Sequence, residues 1–232
     1  MIPDPIHPDD DMRGQRLCER AFEKGDHARD DRRARTGAKW KVILASLLLA
    51  APARADEAAW RVWLEAKFMR SPVTKPVAHA GRTALVAGTL GEGELVPLPR
   101  ADWDALAVEW PQFFARAKAN AAADLAALKP RYVRNKKRVI EYAALESDRP
   151  IVAGAVLAPK FLEMFRETLG EKVLLVVPNR FTAYVFPALA SNYRDYSPMI
   201  FQAYRATSHP VSVEVLEVSA EGMRAVGVYE EP

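Results

Sequence analysis

The sequence predicts a single α+β domain in which antiparallel hairpins form a sheet packed by helices. Three observations lead there. The chain of 232 residues is 50% hydrophobic, enough for one substantial core. Its strongest local signal, Glu171 to Phe186, reads as a buried hairpin. From Val139 onward the order reads strand, strand, helix, strand, strand, helix, strand, strand, so hairpins rather than parallel crossovers build the sheet.

The first quarter stands apart from that domain. Residues 1–41 are rich in Asp, Arg, Gly and Pro, and the composition switches at Val42. Arg32, Arg33, Arg35, Lys39 and Lys41 form a positive n-region, Val42 to Ala51 an apolar h-region, and Ala53-Arg54-Ala55 a small-x-small cleavage site. The apolar run is about half of the ~20 residues that span hydrocarbon, so cleavage before Asp56 is expected, with no stable membrane anchor afterwards. The acidic lead-in is long for a signal peptide, which suggests a translation start further downstream, with Met12 a candidate. Residues 1–55 are therefore read as a leader and 56–232 as the domain, periplasmic or secreted. The leader holds 11 of the 33 Lys and Arg and 9 of the 30 Asp and Glu, which leaves the domain near neutral and gives no case for nucleic-acid binding. The only cysteine, Cys18, also lies in the leader, so the domain is cysteine-free.

Glu57 to Met69 places Trp60, Trp63, Leu64 and Phe68 at helical spacing, which predicts an opening helix ended by Pro72 and Pro76. Its aromatic stripe reads as core rather than as a sugar or lipid platform. Thr83 to Leu90 and Glu94 to Leu98 follow as a hairpin around Gly91-Glu-Gly93. Pro99 to Asp102 opens a short helix with Asp102 as candidate cap, and Trp110-Pro111 starts a longer one to about Leu128. Its apolar positions include Phe113, Phe114, Ala117, Ala121 and Leu125. The basic run from Lys129 to Arg138 reads as a solvated loop leading into an edge strand, where lysines discourage aggregation.

Val139 to Leu145 and Ile151 to Leu157 are expected to pair as a hairpin, followed by a helix from Pro159 to Leu169 stopped by Gly170. The apolar run Val173 to Val177 then suits a strand covered on both faces, and Phe181 to Phe186 is its partner. Between them Val177-Pro178-Asn179-Arg180 reads as a type II turn, with Pro178 presetting φ and Asn179 tolerating the left-handed position. Ser197-Pro198 starts a helix to about Thr207. Val211 to Val218 alternates apolar residues with Ser212, Glu214 and Glu217, a strand with its polar side in water, and Met223 to Tyr229 closes the sheet.

The succession of the Ile151-to-Leu157 strand, the Phe161-to-Phe165 helix, the turn at 177–180 and the following strand resembles the YtpQ-like family of bacterial proteins. The resemblance covers Val139 to about Tyr229. Relatives of that kind look cytoplasmic, whereas this chain carries an export signal, and the resemblance implies no activity that can be carried onto residues.

Chemical motifs are sparse. The domain's histidines, His79 and His209, lie far apart with no neighbouring ligand pattern, so no metal site is expected. Nucleophile elbow, phosphate loop and dinucleotide fingerprint are missing from the sequence, and no cofactor is implied. Asn192-Tyr193-Arg194-Asp195-Tyr196 is the one polar cluster that suggests a site, against a plainer reading as a turn that caps the next helix. Arg180 in the hairpin turn, with Tyr193, Arg194 and Asp195, forms the expected ligand-facing surface, suited to a small carboxylate or phosphate through forked hydrogen bonds. That surface requires the segment after Phe186 to fold back along the sheet, about 20 Å for six extended residues. The expected function is an exported binding or assembly module whose partner is a protein or a small anionic ligand. The alternative is an exported hydrolase with a dispersed carboxylate or Tyr/Arg site.

Overall fold

The computed structural model describes residues 56–231, and the expected leader and cleavage site lie outside the described residues. The domain is α+β and contains two antiparallel sheets. In the smaller, β3 (Thr83–Gly91) pairs with β1 (Trp60–Ala66) along one edge and with β2 (Thr74–Pro76) and β4 (Glu94–Pro97) along the other. β3 and β4 turn through Glu92 and Gly93, both at positive φ (49° and 87°), the backbone that a tight hairpin demands and that glycine adopts readily. Helices α1 (Arg100–Leu106) and α2 (Trp110–Ala126) follow. The larger sheet contains β5 (Arg131–Arg134), β6 (Ile140–Glu146), β7 (Val173–Asn179), β8 (Thr182–Pro187), β9 (Glu214–Ser219) and β10 (Gly222–Val228), in the order β10-β9-β7-β8-β6-β5. Helices α3 (Val152–Ala155) and α4 (Phe161–Leu169) connect β6 to β7, and α5 (Ser197–Arg205) lies between β8 and β9.

The central hairpin forms as its composition requires. Val173, Leu175 and Val177 of β7, with Ala183 and Val185 of β8, enter the main core beside Trp63, Leu145 and Phe165. Leu174, Val176, Tyr184 and Phe186 point the other way, into a second core closed by Ile200 and Phe201 of α5. Both faces are covered, which is why the run carries no polar alternation. A third cluster, with Trp60 stacked on Phe113 at 4.7 Å, lies between β1 and α2. Sequence expectation and structure also agree on the β3–β4 hairpin, α2 and α4 with its Gly170 stop. The basic run, expected as a loop before an edge strand, itself forms the edge strand β5, and β6 lies inside the sheet between β5 and β8.

Several expectations are corrected. Glu57 to Met69 is β1 flanked by single 3-10 turns, not a helix. All seven residues of β1 are buried, so apolar side chains fall on both faces and mimic helical spacing, while Phe68 beyond the strand is 61% exposed. Within β1, Arg61 donates through Nε to Asp124 of α2 at 2.8 Å. Ile151 to Leu157 is α3 with adjoining turns rather than a strand. Both edges of β6 are taken by β5 and β8, leaving no ladder for it, and the small Val-Ala-Gly-Ala sequence fits a helix seated on β1. A Cβ on Gly154 would lie 3.2 Å from the Val62 carbonyl oxygen. One of the strands on which the YtpQ-like resemblance rests is therefore a helix.

The third correction is the turn. β7 runs on through Pro178 and Asn179 after a register shift, and the chain reverses at Arg180 and Phe181. Asn179 is buried; its Oδ1 accepts from the Phe181 amide at 2.9 Å and its Nδ2 donates to the Ala203 carbonyl of α5 at 2.7 Å. The side chain shapes the turn without a left-handed backbone at Asn179. The fourth concerns β9. Ser212 and Glu214 are buried, because Glu214 shares a face with Leu216 and Val218, toward the smaller sheet, while Val213 and Val215 enter the second core. Glu214 accepts from the Gly81 amide (2.7 Å), the Arg82 amide (3.1 Å) and the Thr83 hydroxyl (2.6 Å), fastening the start of β3 to the larger sheet. Asp102, expected as a helix cap, lies in the first turn of α1 behind Pro99.

Candidate functional site

One concavity is a largely apolar groove of about 450 Å³. One wall is Leu85 of β3 and the chain leaving β2, where Ala78 bridges to β10 and its carbonyl accepts from the Ala225 amide at 2.8 Å. Leu157 and Leu162, from the link between α3 and α4 and the start of α4, also line the groove, as does Met223 after the β9–β10 turn. These four side chains are half-buried, resting on the main core with their remaining surface in the groove. Phe114 and Lys118 of α2, one helical turn apart, complete the rim, and Lys118 Nζ lies 4.8 Å from the centre of the Phe114 ring. No carboxylate among the described residues lines the groove.

The residues singled out in the sequence lie elsewhere and on two sides of the larger sheet. Arg180 is only 6% exposed. Its Nε and Nη2 donate to Glu65 Oε2 at 3.0 and 2.5 Å, its Nη1 to the Leu95 carbonyl at 3.3 Å, and its guanidinium lies 5.6 Å from the Trp63 ring. Glu65, 1% exposed, also accepts from Trp63 Nε1 at 3.0 Å and from the Ala66 amide at 3.1 Å. The Arg180 carbonyl in turn accepts from the Val152 amide at 3.0 Å, at the head of α3. Arg180 is thus a clasp between the two sheets, and the ligand-facing position expected for it is corrected.

Tyr193 and Tyr196 pack against the second core, on the opposite face of the sheet from Trp63. Tyr193 meets Tyr229 edge-on at 6.0 Å, and the Tyr229 hydroxyl donates to the Tyr193 carbonyl at 2.7 Å. Arg194 and Asp195 are exposed. Arg194 Nε donates to the Tyr193 hydroxyl at 3.4 Å, a contact that raises the guanidinium's pKa further. The structure therefore keeps Tyr193, Arg194 and Asp195 together on one short turn and separates them from Arg180. Burial, followed by the Glu141 carboxylate, pushes the Tyr196 phenol up to about 12. Burial also raises Tyr184 and Tyr229.

Comparison of the chain with protein-family models, with curated proteins and with solved structures gives no match.

Two further concavities flank α1 and α5. One, of about 600 Å³, lies at the α1–α2 elbow under Trp103 and Trp110, and the other, of about 270 Å³, lies between Lys67, Arg82, Phe201 and Tyr204. The buried carboxylates Glu65, Asp124 and Glu214 line none of the three concavities, being occupied by Arg180, Arg61 and the start of β3. No group of three or more His, Cys, Asp or Glu among the described residues is placed to hold a metal ion, and no helix among them is long and apolar enough to cross a membrane. Sequence reasoning missed both interior carboxylates: Glu214 was read as solvent-facing, and Glu65 fell in a segment read as a helix, off its apolar stripe. The groove was missed because it draws on five separate segments; only the Phe114–Lys118 spacing was open to reading.

Proposed function

We propose that this is an exported binding module, periplasmic or secreted, whose groove takes a small amphipathic anion. The observation that supports the reading is the groove itself: apolar walls with Lys118 as the cation at the rim. Its volume of about 450 Å³ falls within the ~300–1,000 Å³ usual for small-molecule sites, which are likewise apolar with few polar groups to set orientation. An alkyl or aryl body would displace water from Leu85, Leu157, Leu162 and Met223, and an acid group would reach the Lys118 ammonium. Lys118 attracts carboxylate or phosphate as a point charge on a flexible stem, selecting charge more than shape. Export is the reading of residues 32–55 and rests on the n-region, h-region and Ala-x-Ala pattern. The hydrolase alternative has weaker support, since the buried carboxylates hold the fold together instead of facing a concavity.

Isothermal titration with decanoate and with decanol tests the reading. Decanoate is expected to bind at least about tenfold more tightly than decanol, a difference of about 1.4 kcal/mol. Lys118→Met is expected to erase that preference while leaving decanol affinity and the melting temperature unchanged. Equal binding of acid and alcohol by the unaltered protein, or binding of neither, contradicts it.

A further inference from the structure

The concavity at the α1–α2 elbow is independent of the groove, sharing no lining residue with it. Its walls are Pro72 to Lys75 at the start of β2, the exposed side of α1, and the link from Ala107 to Trp110. Trp103 and Trp110 are both half-buried, with ring centres 5.8 Å apart and planes at 41°, so they form a bent shelf. Each ring also packs on a phenylalanine. Phe113, fully buried, sets its ring 5.1 Å from Trp103 at 62°, and Phe114 stacks 6.2 Å from Trp110 at 24°. The bend passes through Ala107 at φ 52°, a left-handed backbone that disfavours an alanine. That conformation turns the chain from α1 into α2 and keeps the second tryptophan beside the first.

The polar lining is balanced in charge. Lys75 and Arg100 contribute two cations, Asp104 and Glu109 two carboxylates, and Arg100 pairs with Asp104 at 3.1 Å along one exposed turn of α1. An ion of either sign would meet repulsion as well as attraction there. A neutral molecule with hydroxyls on its edge and an apolar face meets neither obstacle, because hydroxyls donate to carboxylates and accept from ammonium and guanidinium groups. Indole rings offer large, rigid apolar faces at low conformational cost. We infer that the elbow beneath Trp103 and Trp110 is a binding site for a neutral saccharide, with a pyranose C–H face laid on the indole shelf and its hydroxyls directed to Asp104, Glu109, Lys75 and Arg100.

Saturation-transfer NMR with chitotriose, cellotriose and maltotriose, each offered separately to the full-length protein, tests this site. At least one sugar is expected to receive saturation at its ring protons, with a Kd that weakens at least about tenfold in Trp103→Ala and in Trp110→Ala. Asp104→Asn and Lys75→Met change exposed side chains and keep the test open if a tryptophan variant fails to fold. Each is expected to weaken the same sugar about three- to tenfold, the scale of a lost hydrogen bond. Absence of transfer to all three sugars overturns the assignment. So does a sugar whose affinity is unchanged in Asp104→Asn, Lys75→Met and every tryptophan variant that folds. Decanoate competing for the same sugar signals would instead place both ligands in one site and overturn the independence of the two concavities.

Discussion

At the scale of single residues, the Glu65–Arg180 pair is the most consequential polar contact in the domain. Both partners are almost fully buried, and their further hydrogen bonds go to Trp63, Ala66 and Leu95. Removing one partner strands a charge in the interior, which typically costs about 3–5 kcal/mol, whereas replacing both with apolar residues of similar volume is often near neutral. Arg180→Ala is therefore expected to destabilise the domain by that amount in urea melts, and Glu65→Leu combined with Arg180→Met by much less. If Arg180→Ala shifts the midpoint by under ~1 kcal/mol, the clasp between the sheets is not structural. The phenols provide a second expectation. Burial raises Tyr196 to about 12, above its ordinary value near 10. A group that holds its proton more tightly when folded stabilises the fold fully below the unfolded pKa and loses that contribution as pH rises through the folded one. Stability should accordingly fall between about pH 10 and 12, and Tyr196→Phe should flatten the fall, as followed by thermal melts across that range. An unchanged alkaline slope in Tyr196→Phe would assign the loss to Tyr184, Tyr229 or another group.

Elements show where sequence reasoning succeeds and where it stops. The β7–β8 hairpin was legible because both faces are buried, so an unbroken β-branched run leaves few alternatives. Leu175, fully buried, should cost about 2–5 kcal/mol on truncation to alanine in denaturant melts, and a shift below ~1 kcal/mol would remove this hairpin from the centre of the fold. β1 was misread for the same physical reason that β7 was read correctly. A strand covered on both faces has no period of its own, and Trp60, Trp63 and Leu64 happen to match a helix. The deciding information is non-local: every residue of β1 pairs with β3, and Gly88 of β3 leaves room for Trp63. A Cβ at Gly88 would stand 2.2 Å from the Val96 carbonyl oxygen and 2.5 Å from the Trp63 ring, contacts that the backbone itself must relieve. Gly88→Ala is thus expected to destabilise by at least the ~1–3 kcal/mol of an overpacked core. Gly91→Ala, with open space at its Cβ, serves as the mild control in the same melts. Equal losses in the two variants would show that close packing of β3 is not what Gly88 provides.

For the whole molecule, the α+β class and the hairpin-built larger sheet were legible, while the division into two sheets was not. That division depends on Glu65, Arg180 and Glu214 pointing inward, and polar residues alternating with apolar ones look the same whether they face water or a second sheet. The expected site fared similarly. Tyr193, Arg194 and Asp195 are neighbours in sequence and remain neighbours in space, but Arg180 was joined to them by supposition about a loop path, and the sheet lies between. The groove assembles β2, β3, α2, the α3–α4 link and the β9–β10 turn, so only the fold brings Lys118 to an apolar wall. The role proposed for this wall and its cation is to hold an amphipathic anion. Methyl-resolved NMR with intermolecular NOEs to decanoate tests it most directly. NOEs are expected from the decanoate chain to Leu85, Leu157, Leu162 and Met223, none to buried Leu175, with loss of the carboxylate's preferred orientation in Lys118→Met; NOEs confined to exposed side chains such as Leu189 or Val226, or none at the groove methyls, would overturn the proposal.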